Sequence, residues 1–170
     1  MTGLVKKSMF DILAGRVEGA LVADLYCGTG TLGLEALSRG ARRCCFADRD
    51  RGAMALLRRS IRELDLADRC VLWQGDLMIR LAGWLGELDA PLDLAFVDPP
   101  YADARKWSWD RVARALFEPL GAHLADGGLI VLRLPAKIDP PQRLGPLVIA
   151  RSKRYGDMTL AFLRRLEEGE

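Results

Sequence analysis

Leu94-Ala-Phe-Val-Asp-Pro-Pro-Tyr101 carries an apolar run into a carboxylate, two prolines and an aromatic ring. The prolines make a stiff loop without backbone donors, so what it offers a ligand is acceptors: the Asp98 carboxylate and the Pro99 carbonyl. Such a loop suits an amine attached to an aromatic ring. The lone pair of that amine is delocalised into the ring. It becomes nucleophilic when two acceptors hold its hydrogens and turn the lone pair toward an electrophile, a task of positioning and electrostatics. Tyr101 adds a flat face on which a base extruded from its helix can stack, worth about 1–3 kcal/mol. Asp98, Pro99, Pro100 and Tyr101 are the candidate catalytic residues. The same residues could be only a rigid turn at a strand end; the decision rests on what surrounds them.

A second motif supplies that context. Val22-Ala-Asp-Leu-Tyr-Cys-Gly-Thr-Gly-Thr-Leu-Gly33 runs an apolar strand into a glycine-spaced turn and then a helix beginning near Thr31, the setting in which G-x-G-x-x-G brings backbone close to a ligand. The pattern alone is shared with dinucleotide sites. Asp24, however, precedes the glycines and would repel a pyrophosphate, whereas it attracts a cation. S-Adenosylmethionine carries a sulfonium and an ammonium. Asp48 follows Gly28 by 20 residues, the spacing at which a carboxylate grips the ribose hydroxyls of a bound nucleoside. Gly75-Asp76-Leu77 closes a third strand, and Asp76 could accept from an adenine amino group, cap the next helix, or do both. Asp24, for its part, could merely cap a turn.

These residues need a scaffold that collects strand ends on one side. Short apolar runs alternate with longer segments of helical period, so the class is α/β. Strands are predicted near 20–26, 43–48, 70–74, 92–98 and 128–134, with helices near 5–13, 31–39, 51–64, 77–85 and 108–120. The tail reads differently: 146–152 and 159–165, joined by a turn around Arg154–Asp157, form an antiparallel hairpin. Five parallel strands and a hairpin make a seven-stranded sheet.

At 170 residues, 50% hydrophobic, the chain is sized for one domain spanning 1–170. A net charge of +2 from 25 basic and 23 acidic residues excludes nucleic-acid binding by bulk charge; RNA would have to meet local patches. No apolar run of roughly 20 residues and no signal peptide is visible, so a soluble cytoplasmic protein is expected. Cys27, Cys44, Cys45 and Cys70 form no C-x-x-C pair and His123 is the single histidine, so no metal site is expected. Arg49, Arg51, Arg58, Arg59 and Arg62 read as a solvated face. Arg105-Lys106-Trp107-Ser108-Trp109 could clamp an RNA strand or start a helix whose tryptophans pack inward.

The motifs together resemble the RsmD-type guanine-N2 methyltransferases of small-subunit ribosomal RNA. The resemblance lies in Val5–Leu13, Asp24–Ala41, Phe96-Val-Asp-Pro-Pro-Tyr101 and Lys153-Arg-Tyr-Gly-Asp157. It implies a Rossmann-like class I methyltransferase sheet of seven strands in the order 3-2-1-4-5-7-6, strand 7 antiparallel, with helices on both faces. It implies S-adenosyl-L-methionine as cofactor, bound by Asp24, Tyr26, Cys27, Gly28, Thr29, Gly30, Asp48, Arg49, Gly75, Asp76, Leu77 and Asp98, and the target base held at Asp98–Tyr101. Cys27 stands where the family carries a small residue, and is expected to pack beside the ligand, with no nucleophilic role. The implied partner is 16S ribosomal RNA, free or within a small-subunit particle, met by a monomer. The sequence departs from the family at its front, where members carry a basic, glycine-containing β-hairpin and an Arg-Pro-rich stretch ahead of the Val5–Leu13 helix. Rival readings keep the chemistry on another nitrogen, adenine-N6 or a protein glutamine amide. From other classes, the rivals are a nicotinamide-dependent oxidoreductase and a non-catalytic S-adenosylmethionine-binding module.

Overall fold

A computed structural model describes residues 1–170. Leu21–Leu25 (β1), Arg43–Asp48 (β2), Cys70–Gln74 (β3) and Leu92–Val97 (β4) pair in parallel, β1 with β2 and β4, and β2 with β3. The middle strands are covered on both faces, which is why their sequences are apolar without alternation. Leu124–Pro135 (β5) continues the parallel sheet beyond β4. Leu147–Tyr155 (β7) and Met158–Arg165 (β8) form the predicted hairpin, with β8 antiparallel to β5.

The strand count differs from the seven predicted. Arg143–Leu144 (β6) pairs with β7 through Arg143↔Val148 and Leu144↔Leu147, giving eight strands in the order β3-β2-β1-β4-β5-β8-β7-β6. The connection is the pair Gly145-Pro146, with Gly145 at φ +60°. This tight turn folds the chain back after two residues and buries Leu144. Without this short edge strand the order is the one expected.

Helices cover both faces. Gly3–Ile12 (α1), Thr31–Ser38 (α2) and Arg51–Glu63 (α3) bury Phe10, Leu37, Leu57 and Ile61 against one face, together with Val22, Phe46 and Phe96 from the sheet. Leu77–Gly86 (α4) and the segment after β4 bury Leu81, Leu85, Val112 and Leu120 against the other, with Ala23, Cys45 and Leu132. The predicted helix over 108–120 is broken into Trp109–Val112 (α6), a π turn at Ala113–Phe117 and Glu118–Ala122 (α7), and a separate short helix, Tyr101–Arg105 (α5), begins at the proline loop. Pro119 explains the wider turn: it lacks an N–H and its ring clashes with the preceding turn of a regular helix.

Two distant sequence blocks meet where α1 lies on the hairpin. The Tyr155 hydroxyl is 2.7 Å from Ser8 Oγ, Lys153 Nζ donates to the same oxygen at 3.3 Å, and Lys153 sits over the Tyr155 ring. This contact holds the start of α1 over the ends of the central strands.

Gly33 marks where α2 comes closest to the sheet. A Cβ there would lie 2.3 Å from Phe46 Cε1 and 2.7 Å from Cys44 Sγ, both fully buried. Gly33→Ala is therefore expected to overpack this contact and lower stability by about 1–3 kcal/mol, read as a reduced urea midpoint at unchanged slope. A midpoint equal to wild type would show that α2 can retreat freely.

Candidate functional site

Three backbone hydrogen bonds align the loops that leave the strands. Cys27 N donates to Ala47 O at 3.0 Å, Gly75 N to Asp48 O at 3.0 Å, and Asp98 N to Leu25 O at 3.2 Å. The loops after β1, β2 and β4 enclose a cleft of about 600 Å3 whose walls include Asp24, Tyr26, Cys27, Gly28, Thr29, Asp48, Arg49, Asp98, Pro99 and Pro100. Its place is the carboxyl end of β1 and β4, where strand order reverses, the position at which open α/β sheets bind ligands.

The glycine loop is held by two carboxylates. Tyr26, Gly28 and Gly30 take positive φ values of 59°, 56° and 87°, which wrap the loop tightly around its own amides. Gly28 N donates to Asp48 Oδ2 at 2.8 Å, and Gly33 N, in the first turn of α2, donates to Asp24 Oδ2 at 2.9 Å. The other Asp48 oxygen accepts from Asp50 N at 3.0 Å, so Asp48 also shapes the turn into α3. A Cβ on Gly28 would meet nothing within 4 Å: the backbone is bare toward the cleft, where a ligand can approach it closely.

Burial sets the electrostatics. Asp24 is 1% exposed, and its carboxyl is pushed well above the usual range, mainly by desolvation, with the Gly33 amide opposing and Asp98 and Asp48 adding repulsion. Burial likewise pushes up the Tyr26 phenol and the Cys27 thiol. Cys27 Sγ lies 3.7 Å from Met54 Sδ, among packing atoms. A thiol so placed stays protonated and is not a nucleophile.

Asp98 leaves β4 half-buried and pairs with a residue that inspection of the motifs had not singled out. Arg133, on β5, donates from Nε to Asp98 Oδ1, and its guanidinium carbon lies 5.3 Å from the centre of the Tyr101 ring. Desolvation raises the Asp98 carboxyl above its ordinary value even against the Arg133 bond and charge. The only signal in the sequence was one cation inside the apolar run Leu129-Ile-Val-Leu-Arg-Leu134.

A smaller cleft of about 260 Å3 adjoins the first, shares Tyr26, Arg49 and Asp103 with it, and is walled by Asp76, Leu77, Trp107 and Arg111. Asp76 caps α4 by accepting from Met78 N at 2.9 Å while still facing this cleft. Trp107 packs 6.2 Å from Tyr26 and edge-on to Trp109 at 5.7 Å; both tryptophans rest on the core, so the inward-packing alternative describes them, and Trp107 also lines the cleft. Arg49 and Asp103, 3.8 Å apart, stand between the two spaces.

Not every expected residue reaches a cleft. Gly30 faces Leu57 and Phe46 of the core, and Gly75 faces Trp84 and Arg80; neither lines either space, so their contribution is the shape of the turn. Tyr101 stands behind Arg133, at the first turn of α5. Met1, Gly3 and Lys6 from the start of α1 do line the larger cleft, a placement that depends on the long-range contact with the hairpin. Arg51, Arg58, Arg59 and Arg62 are exposed on α3.

The donor set fits S-adenosylmethionine. Asp24, Asp48 and Asp98 face one space with bare Gly28 backbone between them, a surface that attracts a sulfonium and an ammonium and disfavours a pyrophosphate.

Comparison with known proteins agrees in extent and fold. The chain is 26% identical over 169 residues to ribosomal RNA small subunit methyltransferase D of Escherichia coli (strain K12), which spans 99% of this chain and 80% of that protein. It is 28% identical over 166 residues to the YlbH protein of Bacillus subtilis (strain 168), 96% and 86% of the two chains. The solved yhhF protein from Escherichia coli superposes with a TM-score of 0.79 at 26% identity, over 96% of this chain and 85% of that one. SMU.776, solved complexed with SAH, shares the fold at a TM-score of 0.70 and 15% identity, over 92% of this chain and 48% of its own. Residues 1–164 match the family described as Conserved hypothetical protein 95, and the chain belongs to this family, the RsmD-type family that its motifs resemble.

Proposed function

We propose that the chain transfers a methyl group from S-adenosylmethionine to the exocyclic N2 amine of a guanine in 16S ribosomal RNA. The observation that carries this reading is the junction of two surfaces in one cleft: the carboxylate-walled space under the glycine loop, and the Asp98-Pro99-Pro100 acceptors beside it.

The chemistry that the donor supplies is an electrophilic methyl on a sulfonium. Asp24 and Asp48 would hold its cationic and ribose parts, and the smaller cleft offers its adenine apolar surface from Leu77, Trp107 and Tyr26 with Asp76 as an acceptor. Asp98 and the Pro99 carbonyl accept the two amine hydrogens of the base and fix the direction of the nitrogen lone pair. The donor would supply its methyl to the nitrogen with loss of S-adenosylhomocysteine as the thioether leaving group, and the Asp98 carboxylate would take the surplus proton from the nitrogen. The raised Asp98 carboxyl suits that last step, because a more basic carboxylate accepts a proton more readily. Tyr101, at the turn into α5, lies by Arg133 outside both clefts and backs the acceptor side of the site. The alternative targets, adenine-N6 and a glutamine amide, would use the same acceptors; Asp in the first loop position and the Lys153–Asp157 block favour guanine.

The substrate is tested by methylating small-subunit RNA, and assembled small subunits, with deuterated donor and identifying labelled nucleosides by mass spectrometry. N2-methylguanosine is expected; label confined to another nucleoside would overturn the guanine assignment. Asp98→Ala is expected to reduce turnover by about 100-fold or more with S-adenosylhomocysteine affinity within a few-fold; unchanged turnover would remove Asp98 from the mechanism.

For Asp24 the sign follows from linkage. Its folded carboxyl binds a proton more tightly than the unfolded one, so the stability present below the unfolded value is lost as pH rises through the folded one. Asp24→Asn is therefore expected to stabilise the ligand-free protein at neutral pH and to weaken donor binding by about tenfold or more. Thermal melts with and without donor check both. A variant less stable without donor at neutral pH would contradict the buried-charge account.

A further inference from the structure

Arg133 is the one cation inside the proposed acceptor site, and its contacts are unusually divided. Nε is spent on Asp98 Oδ1, Nη1 rests 3.6 Å from the soft sulfur of Met158, and Nη2 has no hydrogen bond in the protein, while the guanidinium plane lies by the Tyr101 ring. Both Arg133 and Asp98 side chains are 19% exposed and open on the same cleft. Arg133 stands opposite Leu160 of β8, one residue past the Val97↔Leu132 pair that ends the β4–β5 ladder. Its backbone is thus held by pairing with β8 just beyond the end of the β4–β5 ladder, while its side chain reaches Asp98 and Tyr101 beyond β4 and Met158 on β8.

We propose that Arg133 is a positioning residue for methyl transfer: by tying one Asp98 oxygen while packed by the Tyr101 ring, it fixes the other oxygen as amine acceptor. This rests on the methyltransferase reading of the site. A free carboxylate rotates about its Cβ–Cγ bond and shares a target amine with water. One held by a charge-assisted bond at Oδ1 has one orientation and one oxygen left. The same bond opposes protonation of a carboxyl that burial otherwise raises. The charges facing Asp98 are Arg133 from β5, Asp24 from β1 and the Met1 amino group ahead of α1. Lys6 of α1, Asp48 and Arg49 following β2, and Asp103 of α5 stand around the same cleft. Arg133 is the only one of the cations bonded to Asp98.

The test compares wild type, Arg133→Met and Arg133→Lys in three measurements. In turnover against pH, Arg133→Met should lose about 10- to 100-fold at neutral pH, with its acid limb moved to higher pH, while S-adenosylhomocysteine affinity stays within about threefold. Arg133→Lys, which keeps the charge without the planar fork, should keep the acid limb near wild type yet lose about tenfold in turnover. Carboxyl-carbon NMR titration of Asp98, which needs no activity, should show its protonation moved to higher pH in Arg133→Met. An Asp98 titration that is identical in wild type and Arg133→Met overturns the proposal, as does wild-type turnover in either variant. If Arg133→Met does not fold, the Arg133→Lys turnover and limb decide alone. A wild-type protein that methylates no RNA, with Asp98 still shifted by Arg133→Met, overturns the substrate reading and leaves the Arg133–Asp98 coupling standing.

Discussion

Asp24, Asp48 and Asp98 sit at the ends of three adjacent parallel strands, where the sheet brings them into one partly dehydrated space. Burial raises the proton affinity of Asp24, almost wholly buried, and the charges of Asp98 and Asp48 add to that rise. The fold answers with hydrogen bonds from the chain itself: Gly33 N to Asp24, Gly28 N to Asp48, and the guanidinium of Arg133 to Asp98. Asp24 and Asp98 each have one bonded oxygen, and Asp48 has both, the second to Asp50 N. The same bonds give the glycine loop its left-handed turns and anchor the first turn of α2. The loop's geometry and the cleft's charge are therefore one arrangement, and a site strained by excess negative charge is prepared for a cationic ligand.

The acceptor loop extends this logic. Two prolines stiffen the chain after β4, but stiffness alone does not aim a carboxylate. The aim comes from β5, where Arg133 pairs with Leu160 of β8 and reaches Asp98 and Tyr101 together. The proline loop thus borrows its order from the sheet. A second dependence runs through the hairpin. Tyr155 and Lys153 at the end of β7 hold Ser8 of α1, and through it the segment Met1–Lys6 that closes one wall of the cleft.

Much of this was legible from residue order, because strand ends and glycine turns are local signals. Asp24, Asp48 and Asp98 each follow an apolar run directly, Asp76 follows one by way of Gln74-Gly75, and a parallel sheet must collect such ends on one side. The hairpin at the tail was equally local. What lay hidden is non-local or depends on a single residue. Arg133 pairs with a partner 35 positions away, and nothing in an apolar strand says which neighbour its one cation will meet. The two-residue strand Arg143–Leu144 is too short for any period to register. The π turn before Pro119 replaces a helix that the apolar spacing alone continues unbroken. Gly30 and Gly75 show a different limit: spacing identifies glycines that a turn requires, but not which of them faces the ligand and which faces the core.

The central claim is that this ring of carboxylates selects a cationic nucleoside over a dinucleotide. Calorimetric titration of the purified protein with S-adenosylmethionine and, separately, with NAD tests it most directly. Saturable binding of S-adenosylmethionine with none of NAD at the same concentrations is the predicted result. Saturable NAD binding without S-adenosylmethionine binding would contradict it.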